Sequence, residues 1–318
     1  MKENSRPLVS VVTPAYNQAS YLSATIESVL SQDYPHIEYH VIDDGSTDKT
    51  PEILESYKDR VHCESHSNQG QTATINKGWS QSQGAILTWL NSDDTFLPGA
   101  VSKAVAFFSN NPDAGIVFGD TLFTQADGSP IERTKNRGEF NYRRFVLQCE
   151  NPIPQPSAFI RRCVIEDVGV LDPYYFYFMD WDFWLRAGIR HRIVYFPELL
   201  STYRLHPESN TVARSARVAP ELEHMYRSFF ERNELPEPVR RLQTRAMANM
   251  YFTSGGYYLN GSDSAAARRM ALRALCAYPG IVLSPGMLHK FLFCLIGGHP
   301  AYVKARNVYY RFRFAERQ

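Results

Sequence analysis

Trp89-Leu90-Asn91-Ser92-Asp93-Asp94 is the stretch from which the fold can be read outward. It closes an apolar run over residues 85–90, short and apolar throughout, as a buried strand of a parallel sheet should be. In such sheets ligands bind beyond the carboxyl ends of the strands, which puts Asp93 and Asp94 at the rim of a crevice. Two readings of the acidic pair fit. In one, the pair is a turn that caps a helix starting near Pro98. In the other, it holds a hard cation, Mg²⁺ or Mn²⁺, which takes one or two carboxylates together with the phosphate oxygens of a substrate.

The residues before this stretch alternate strand and helix. Residues 8–13 form a β-rich apolar run closed by Pro14; Tyr16-Asn17-Gln18 follow, and then Leu22, Ile26, Val29 and Leu30 recur on one helical face. A second strand over 39–42 ends in Asp43-Asp44-Gly45-Ser46-Thr47-Asp48, where glycine permits a tight turn and Ser, Thr or Asp can cap a helix beginning near Pro51. A third, over 61–63, leads through Asn68-Gln69-Gly70-Gln71 into a helix carrying Ile75 and Trp79. The expected class is α/β, a mostly parallel sheet with helices on both faces. Neither G-x-G-x-x-G nor G-x-x-x-x-G-K-[ST] follows a strand, so a phosphate must be gripped by something other than a glycine-rich loop. A metal on Asp93 and Asp94 would do that.

Composition bounds the rest. A chain of 318 residues with 44% hydrophobic content is globular and long enough for one large domain with an appendage, or for two. Charge is uneven: residues 1–219 carry 20 Lys/Arg against 26 Asp/Glu, and residues 220–318 carry 14 against 7. The five cysteines show no metal-ligand spacing and read as reduced thiols of a cytosolic protein. The polar start lacks the apolar segment of a signal peptide, and no run of about eighteen apolar residues exists, so a cytoplasmic protein, at most peripheral at the inner face of the membrane, is expected.

Four motifs in order, Val9 through Asn17, Ile42 through Asp48, Asn68-Gln69-Gly70 and Leu90 through Asp94, resemble those of the family 2 inverting glycosyltransferases, which have the GT-A fold. The likeness runs from about Leu8 to His206 and fades beyond. It implies that Pro14 and Tyr16 lie against the nucleotide base, that Asp44 accepts a hydrogen bond from that base, usually uracil, that Asp93 contacts ribose or metal, and that Asp94 is the main protein ligand of a divalent cation bridging the diphosphate. The family's usual Asp-x-Asp-Asp reads Asn91-Ser92-Asp93-Asp94 here, one carboxylate short. Read from the residues alone, Tyr16 is equally a packed aromatic and Asp44 a helix cap.

Past Pro98 come a helix to Phe108, a strand over 115–118 and a hairpin around Ala126-Asp127-Gly128. Residues 133–150 are basic and read as a solvated loop, with a flap over the donor as the alternative. In Asn151-Pro152-Ile153-Pro154-Gln155-Pro156-Ser157, the resemblance makes Gln155 a contact for the donor sugar, while three prolines in five residues equally suit a rigid connector. Met179-Asp180-Trp181-Asp182-Phe183-Trp184-Leu185-Arg186 reads as a helix with Asp180 at its N-terminal end, where the dipole favours a carboxylate. The same stretch resembles the family's Glu-Asp-x-Asp-x-x-x-Arg, in which Asp180 matches the catalytic base and Met179 replaces an acid; a plain cap is the other reading. Likewise His206 is implied as a metal or diphosphate ligand and Arg204 as a phosphate partner.

Two domains are expected, a catalytic one over 1–219 and a helical region over 220–318, with helices over 221–233, 238–253 and 264–278 broken at Pro236, Gly255-Gly256 and Asn260-Gly261-Ser262-Asp263. Basic residues interleaved with aromatics over 287–318 suit contact with an anionic membrane surface, packing on the protein or a dimer contact; nothing else supports nucleic acid as a partner. The function implied is inverting, metal-assisted transfer from a nucleotide-diphospho-sugar, UDP-linked by preference, to a saccharide or lipid-linked saccharide, as in bacterial cell-envelope polysaccharide assembly. The alternatives are transfer to a polyprenyl phosphate, a sugar-nucleotide pyrophosphorylase, for which the phosphate loop is missing, and a non-catalytic nucleotide-sugar or glycan-binding module.

Overall fold

The structure is a computed structural model and describes residues 6–134, 138–206, 215–261, 263–283, 292 and 295. The chain divides into two compact units, Met1–Phe140 with Asn151–Ser209, and Asn141–Glu150 with Asn210–Gln318.

The first unit is built on β1 (Val9–Ala15), β2 (Ile37–Asp43), β3 (His62–Ser65), β4 (Ile86–Trp89), β5 (Thr95–Phe96), β6 (Ala114–Thr124), β7 (Pro130–Arg133), β8 (Ala158–Arg161) and β9 (Arg192–Arg204). Its helices are α1 (Leu22–Leu30), α2 (Thr50–Tyr57), α3 (Gln71–Gln81), α4 (Ala100–Asn110), α6 (Arg162–Val168) and α7 (Met179–Ala187); α5 (Tyr142–Gln148) belongs to the second unit. The strands lie in the order β3-β2-β1-β4-β8-β6-β9-β5, with β7 on β6. Parallel pairing joins β1 to β2 and β4, β2 to β3, and β6 to β9, and these are the longer registers. β8 lies antiparallel between β4 and β6, and β5 antiparallel to β9, in registers of two or three residue pairs. The α/β architecture and its largely parallel pairing are therefore as expected, with antiparallel insertions that the strand-helix alternation does not signal.

All seven residues of β1 are buried, which explains its continuous apolar run. Pro14 does not end this strand. Val12 O accepts from Leu90 N and Ala15 O from Asp44 N, so alternate residues face β4 and β2. The N–H that Pro14 lacks would point past the end of β4, where no ladder bond is needed. Leu22, Ile26 and Val29 of α1 and Ala100, Val101, Ala104 and Phe108 of α4 pack on the same core as Val9, Val11, Leu90 and Val117.

In the second unit α8 (Ser215–Glu231), α9 (Glu237–Arg240), α10 (Gln243–Asn260) and α11 (Ser264–Ala277) join α5. Two expectations are corrected here. The reading of 133–150 as loop misses α5, whose Val146 and Leu147 carbonyls accept from the Tyr226 hydroxyl at 3.2 Å and Asn249 Nδ2 at 2.6 Å; tertiary partners make this short helix. Gly255-Gly256 does not break a helix but lies inside α10, Gly255 in its buried face. Asp263 caps α11 through Ala266 N at 2.8 Å. Lys135, Arg137 and nearly all of the basic aromatic tail lie outside the described residues. Among the described residues no helix is long and apolar enough to cross a membrane.

Candidate active site

The loops at the carboxyl ends of β1, β2 and β4 are stitched together by short polar side chains. Asn17, at a positive φ of 53°, accepts from Thr47 N at 2.8 Å and Asp48 N at 3.3 Å with Oδ1, while its own N donates to Ser46 Oγ at 2.9 Å. Asp43 closes the loop turn, accepting from Ser46 N at 3.0 Å, and Asp48 accepts from Thr50 N at 2.9 Å where α2 begins. Asp44 is buried, and its two oxygens accept from Gln69 N at 2.7 Å and Gly70 N at 2.9 Å. The cap reading of Asp44 is thus replaced by a cross-loop clasp. His66 Nδ1 also lies 3.4 Å from Oδ1, and since a carboxylate has about four lone-pair sites, capacity remains for a ligand. Gly70, at φ 91°, supplies the conformation that turns both N–H groups to one carboxylate. From the next residue, Gln71 Nε2 reaches Asn91 Oδ1 at 2.8 Å, tying this loop to the end of β4. Pro14 is buried in β1, and Tyr16 just beyond it is 48% exposed, so Tyr16 is not a packed core aromatic.

Beyond β4 the chain makes a turn in which Asp94 N donates to Asn91 O at 3.1 Å, and Thr25 Oγ1 from α1 donates to the Ser92 and Asp94 carbonyls. Asp94 is buried, with Oδ1 accepting from Arg204 N at 2.9 Å and Oδ2 from Asn91 Nδ2 at 3.4 Å. Burial, reinforced by the neighbouring Asp93 charge, holds the Asp94 carboxyl well above the usual carboxylate range. His206 lies 3.0 Å from Asp93 Oδ2 through Nε2. The Arg204 guanidinium turns to backbone, donating to Asp93 O at 3.0 Å and Ala126 O at 2.8 Å, and stacks over Tyr21, whose ring also meets His206. In this arrangement Arg204 braces the acidic turn.

Among the described residues no three His, Cys, Asp or Glu side chains converge as a ready metal cage. The donor set nonetheless fits a hard divalent ion. Two carboxylates crowd one buried turn, and the charge repulsion between them is what a cation would relieve. Such ions are commonly held by one or two carboxylates with the remaining positions filled by phosphate and water.

α7 carries the other carboxylate. Asp180 keeps part of its surface in solvent, although protein atoms surround the carboxyl group. Oδ1 accepts from Trp181 N at 2.7 Å and Oδ2 from Asn151 Nδ2 at 3.1 Å. Burial raises its pKa from 3.8 to about 6 against the opposing effect of these bonds. α7 is fixed by a buried Asp182–Arg186 pair at 2.8 Å, with Arg186 also donating to Val168 O and Val170 O, and by Thr72 Oγ1 on Met179 Sδ at 3.0 Å. Trp184, one turn beyond Asp180, stacks on Trp89 with ring centroids 5.8 Å apart. Gln155 Nε2 donates to Trp89 O at 2.7 Å, and its buried Oε1 has no protein partner. Asp180, Gln155 and the Asp93-Asp94 turn are therefore assembled around the end of β4. Asn151 and Gln71 carry no signal in the sequence as site residues, because each acts through a partner twenty or more residues away, and Asn91, read there only as a missing carboxylate, supports Asp94 from three residues before it.

The profile of Glycosyl transferase family 2 matches residues 10–169, half the chain. An uncharacterized glycosyltransferase of Rickettsia typhi is 29% identical over 241 residues, 73% of this chain and 74% of its own length. A Bacillus subtilis protein named as the teichuronic acid biosynthesis glycosyltransferase TuaG is 37% identical over 134 residues, 41% of this chain and 53% of that one. Among solved structures, S. aureus TarS in complex with UDP-GlcNAc superposes with a TM-score of 0.64 at 16% identity, covering 94% of this chain and 92% of the other. The mannosyltransferase PcManGT of Pyrobaculum calidifontis, solved with GDP-Man and Mn²⁺, gives 0.60 at 18% identity, covering 96% and 87%. The fold is thus that of GT-A glycosyltransferases, and the motifs at its strand ends lie where the family profile matches. The chain belongs to glycosyl transferase family 2.

Proposed function

We propose that this glycosyltransferase is inverting and metal-assisted, moving a sugar from a nucleotide-diphospho-sugar to a hydroxyl of a saccharide or lipid-linked saccharide in cell-envelope polysaccharide assembly. The observation that carries the reading is Asp180: a carboxylate crowded by protein yet reached by solvent, with a pKa near 6, oriented by Asn151 and set on a helix that stacks against the strand bearing Asp93-Asp94. A base of that strength is mostly ionised at pH 7 and close enough to neutrality to take a proton. Support for the donor class comes from the UDP-GlcNAc and GDP-Man bound by the two structural neighbours, and for the pathway from the TuaG likeness.

In this mechanism Pro14, Tyr16 and Asp44 form the nucleoside end of the site, and Gln155 offers its unpaired Oε1 to the donor sugar. Asp94, with Asp93 and His206 beside it, would hold the divalent cation, which when bound neutralises charge on the departing diphosphate. Asp180 accepts the acceptor hydroxyl proton as that oxygen attacks the anomeric carbon from the face opposite the diphosphate. The bond from that carbon to the phosphate oxygen breaks, its electron pair leaves with the nucleotide, and the anomeric configuration inverts. The test is nucleotide release from UDP-, GDP-, CDP- and dTDP-sugars with Mn²⁺, with the product anomer read by NMR. Retention of configuration, or full turnover in Asp180→Asn, would refute the mechanism.

A further inference from the structure

Among the described residues the first unit exposes few large apolar side chains, and three of them cluster just before Asp180: Val170 at 45%, Tyr174 at 61% and Phe176 at 50%. We propose that Tyr174 and Phe176 form a stacking platform for a pyranose ring of the acceptor saccharide. The inference rests on the glycosyl-transfer reading above and adds to it where the acceptor binds and by what chemistry.

The exposure is built into the loop. Along residues 174–178 Tyr174 and Phe176 are exposed, Tyr177 is half-buried, and Tyr175 and Phe178 are buried. The inward pair is anchored: Thr72 Oγ1 donates to Tyr175 O at 3.1 Å, and Phe178 packs edge-on to Trp181 with centroids 5.5 Å apart. The loop's start is clasped by Asn76, which donates to Leu171 O at 2.7 Å and accepts from Leu171 N at 3.1 Å. Tyr174 N donates to Asp172 Oδ1 at 2.9 Å. Each outward ring stands nearly perpendicular to its neighbour, Tyr174 to Tyr175 at 84° and Phe176 to Tyr177 at 83°. Tyr174 is thus propped edge-to-face by Tyr175, and Phe176 by Tyr177.

Apolar faces fixed in solvent mark binding sites. A pyranose suits them because one side of the ring presents C–H groups, which meet the negative face of an aromatic ring favourably, while its hydroxyls stay in water. The location fits the acceptor and not the donor. The loop leads directly into the base that must meet the acceptor hydroxyl, whereas the nucleotide motifs lie at the ends of β1, β2 and β4.

The experiment measures how donor cleavage divides between transfer and hydrolysis. The full chain is given a nucleotide-sugar and Mn²⁺ with a panel of methyl pyranosides and gluco-, galacto- and manno-oligosaccharides, and both products are counted. Tyr174→Ala with Phe176→Ala should lower the transfer-to-hydrolysis ratio about tenfold or more, acting mainly through acceptor KM. Tyr174→Phe, which keeps the ring, should stay within about twofold of the parent, and Ile131→Ala, at an equally exposed apolar residue of β7, should not change the ratio. An unchanged ratio in the double variant overturns the platform, as does a parent that hydrolyses donor but uses none of the saccharides. A parent that neither binds nor cleaves any donor strikes the glycosyl-transfer reading itself, and that result appears before any variant is made.

Discussion

Replacing Asp180 with Asn should make the protein more stable at neutral pH while abolishing most of its activity. The carboxyl titrates near 6 in the folded chain against 3.8 unperturbed, so between those values the folded state binds more protons than the unfolded one. Stability therefore falls as pH rises through that window, and above it the folded protein carries a charge that burial disfavours. A rise in pKa from 3.8 to about 6 corresponds to about 3 kcal/mol, and because part of Asp180 reaches solvent we expect roughly 2–3 kcal/mol. Asparagine removes the charge and can still accept from Trp181 N, while the Asn151 amide can present its oxygen to the new NH₂ group. Chemical denaturation of both proteins from pH 4 to 8 should show the variant more stable by that amount at pH 7, roughly 3–5 °C in Tm, with the gap closing towards pH 4. Turnover should fall about 10²–10⁴-fold, the contribution of a general base. A stability difference that is the same at pH 4 and pH 7, or a variant less stable at pH 7, would refute the assignment of burial as the cause.

Removing Asn151 takes away a hydrogen bond that favours the ionised carboxylate, so Asn151→Ala should move the acid limb of kcat/KM from about 6 to higher pH, read from a pH-rate profile. Asp94→Asn should eliminate the Mn²⁺-dependent rise in melting temperature with a nucleoside diphosphate, whereas Asp180→Asn should keep it; thermal shift with and without Mn²⁺ distinguishes them. Gly78→Ala places a Cβ 2.5 Å from Val12 Cγ1 between α3 and β1, and should destabilise by about 1–3 kcal/mol in urea unfolding without changing nucleotide selectivity.

The strand-helix order up to β4 was legible because each buried strand is a short apolar run ended by turn residues, and each helix shows a 3.6-residue stripe. β8 was not, because its place between β4 and β6 depends on partners far away in the chain, Ile86 with Arg161 and Ile116 with Ile160 among them. α5 failed for a related reason. Seven residues without a strong stripe, capped locally by Asn141 on Arg144 N, form a helix that is held by Tyr226 and Asn249. The two glycines of α10 carry a break signal that burial along the helix overrides.

At the site, the residue types belong to the sequence: adjacent carboxylates after β4, Asp44 after β2 and Asp180 at a helix start are all visible as letters. Their chemistry does not. That Asp44 is clasped by Gln69 and Gly70, that His206 pairs with Asp93, that Arg204 braces backbone, and that Asn151 orients Asp180 are outcomes of tertiary placement. Local sequence encodes periodicity and turn geometry because those depend on neighbours a few residues apart. Burial, hydrogen-bond partners and the resulting proton affinities depend on atoms brought together from across the chain, and only the folded sheet brings them together.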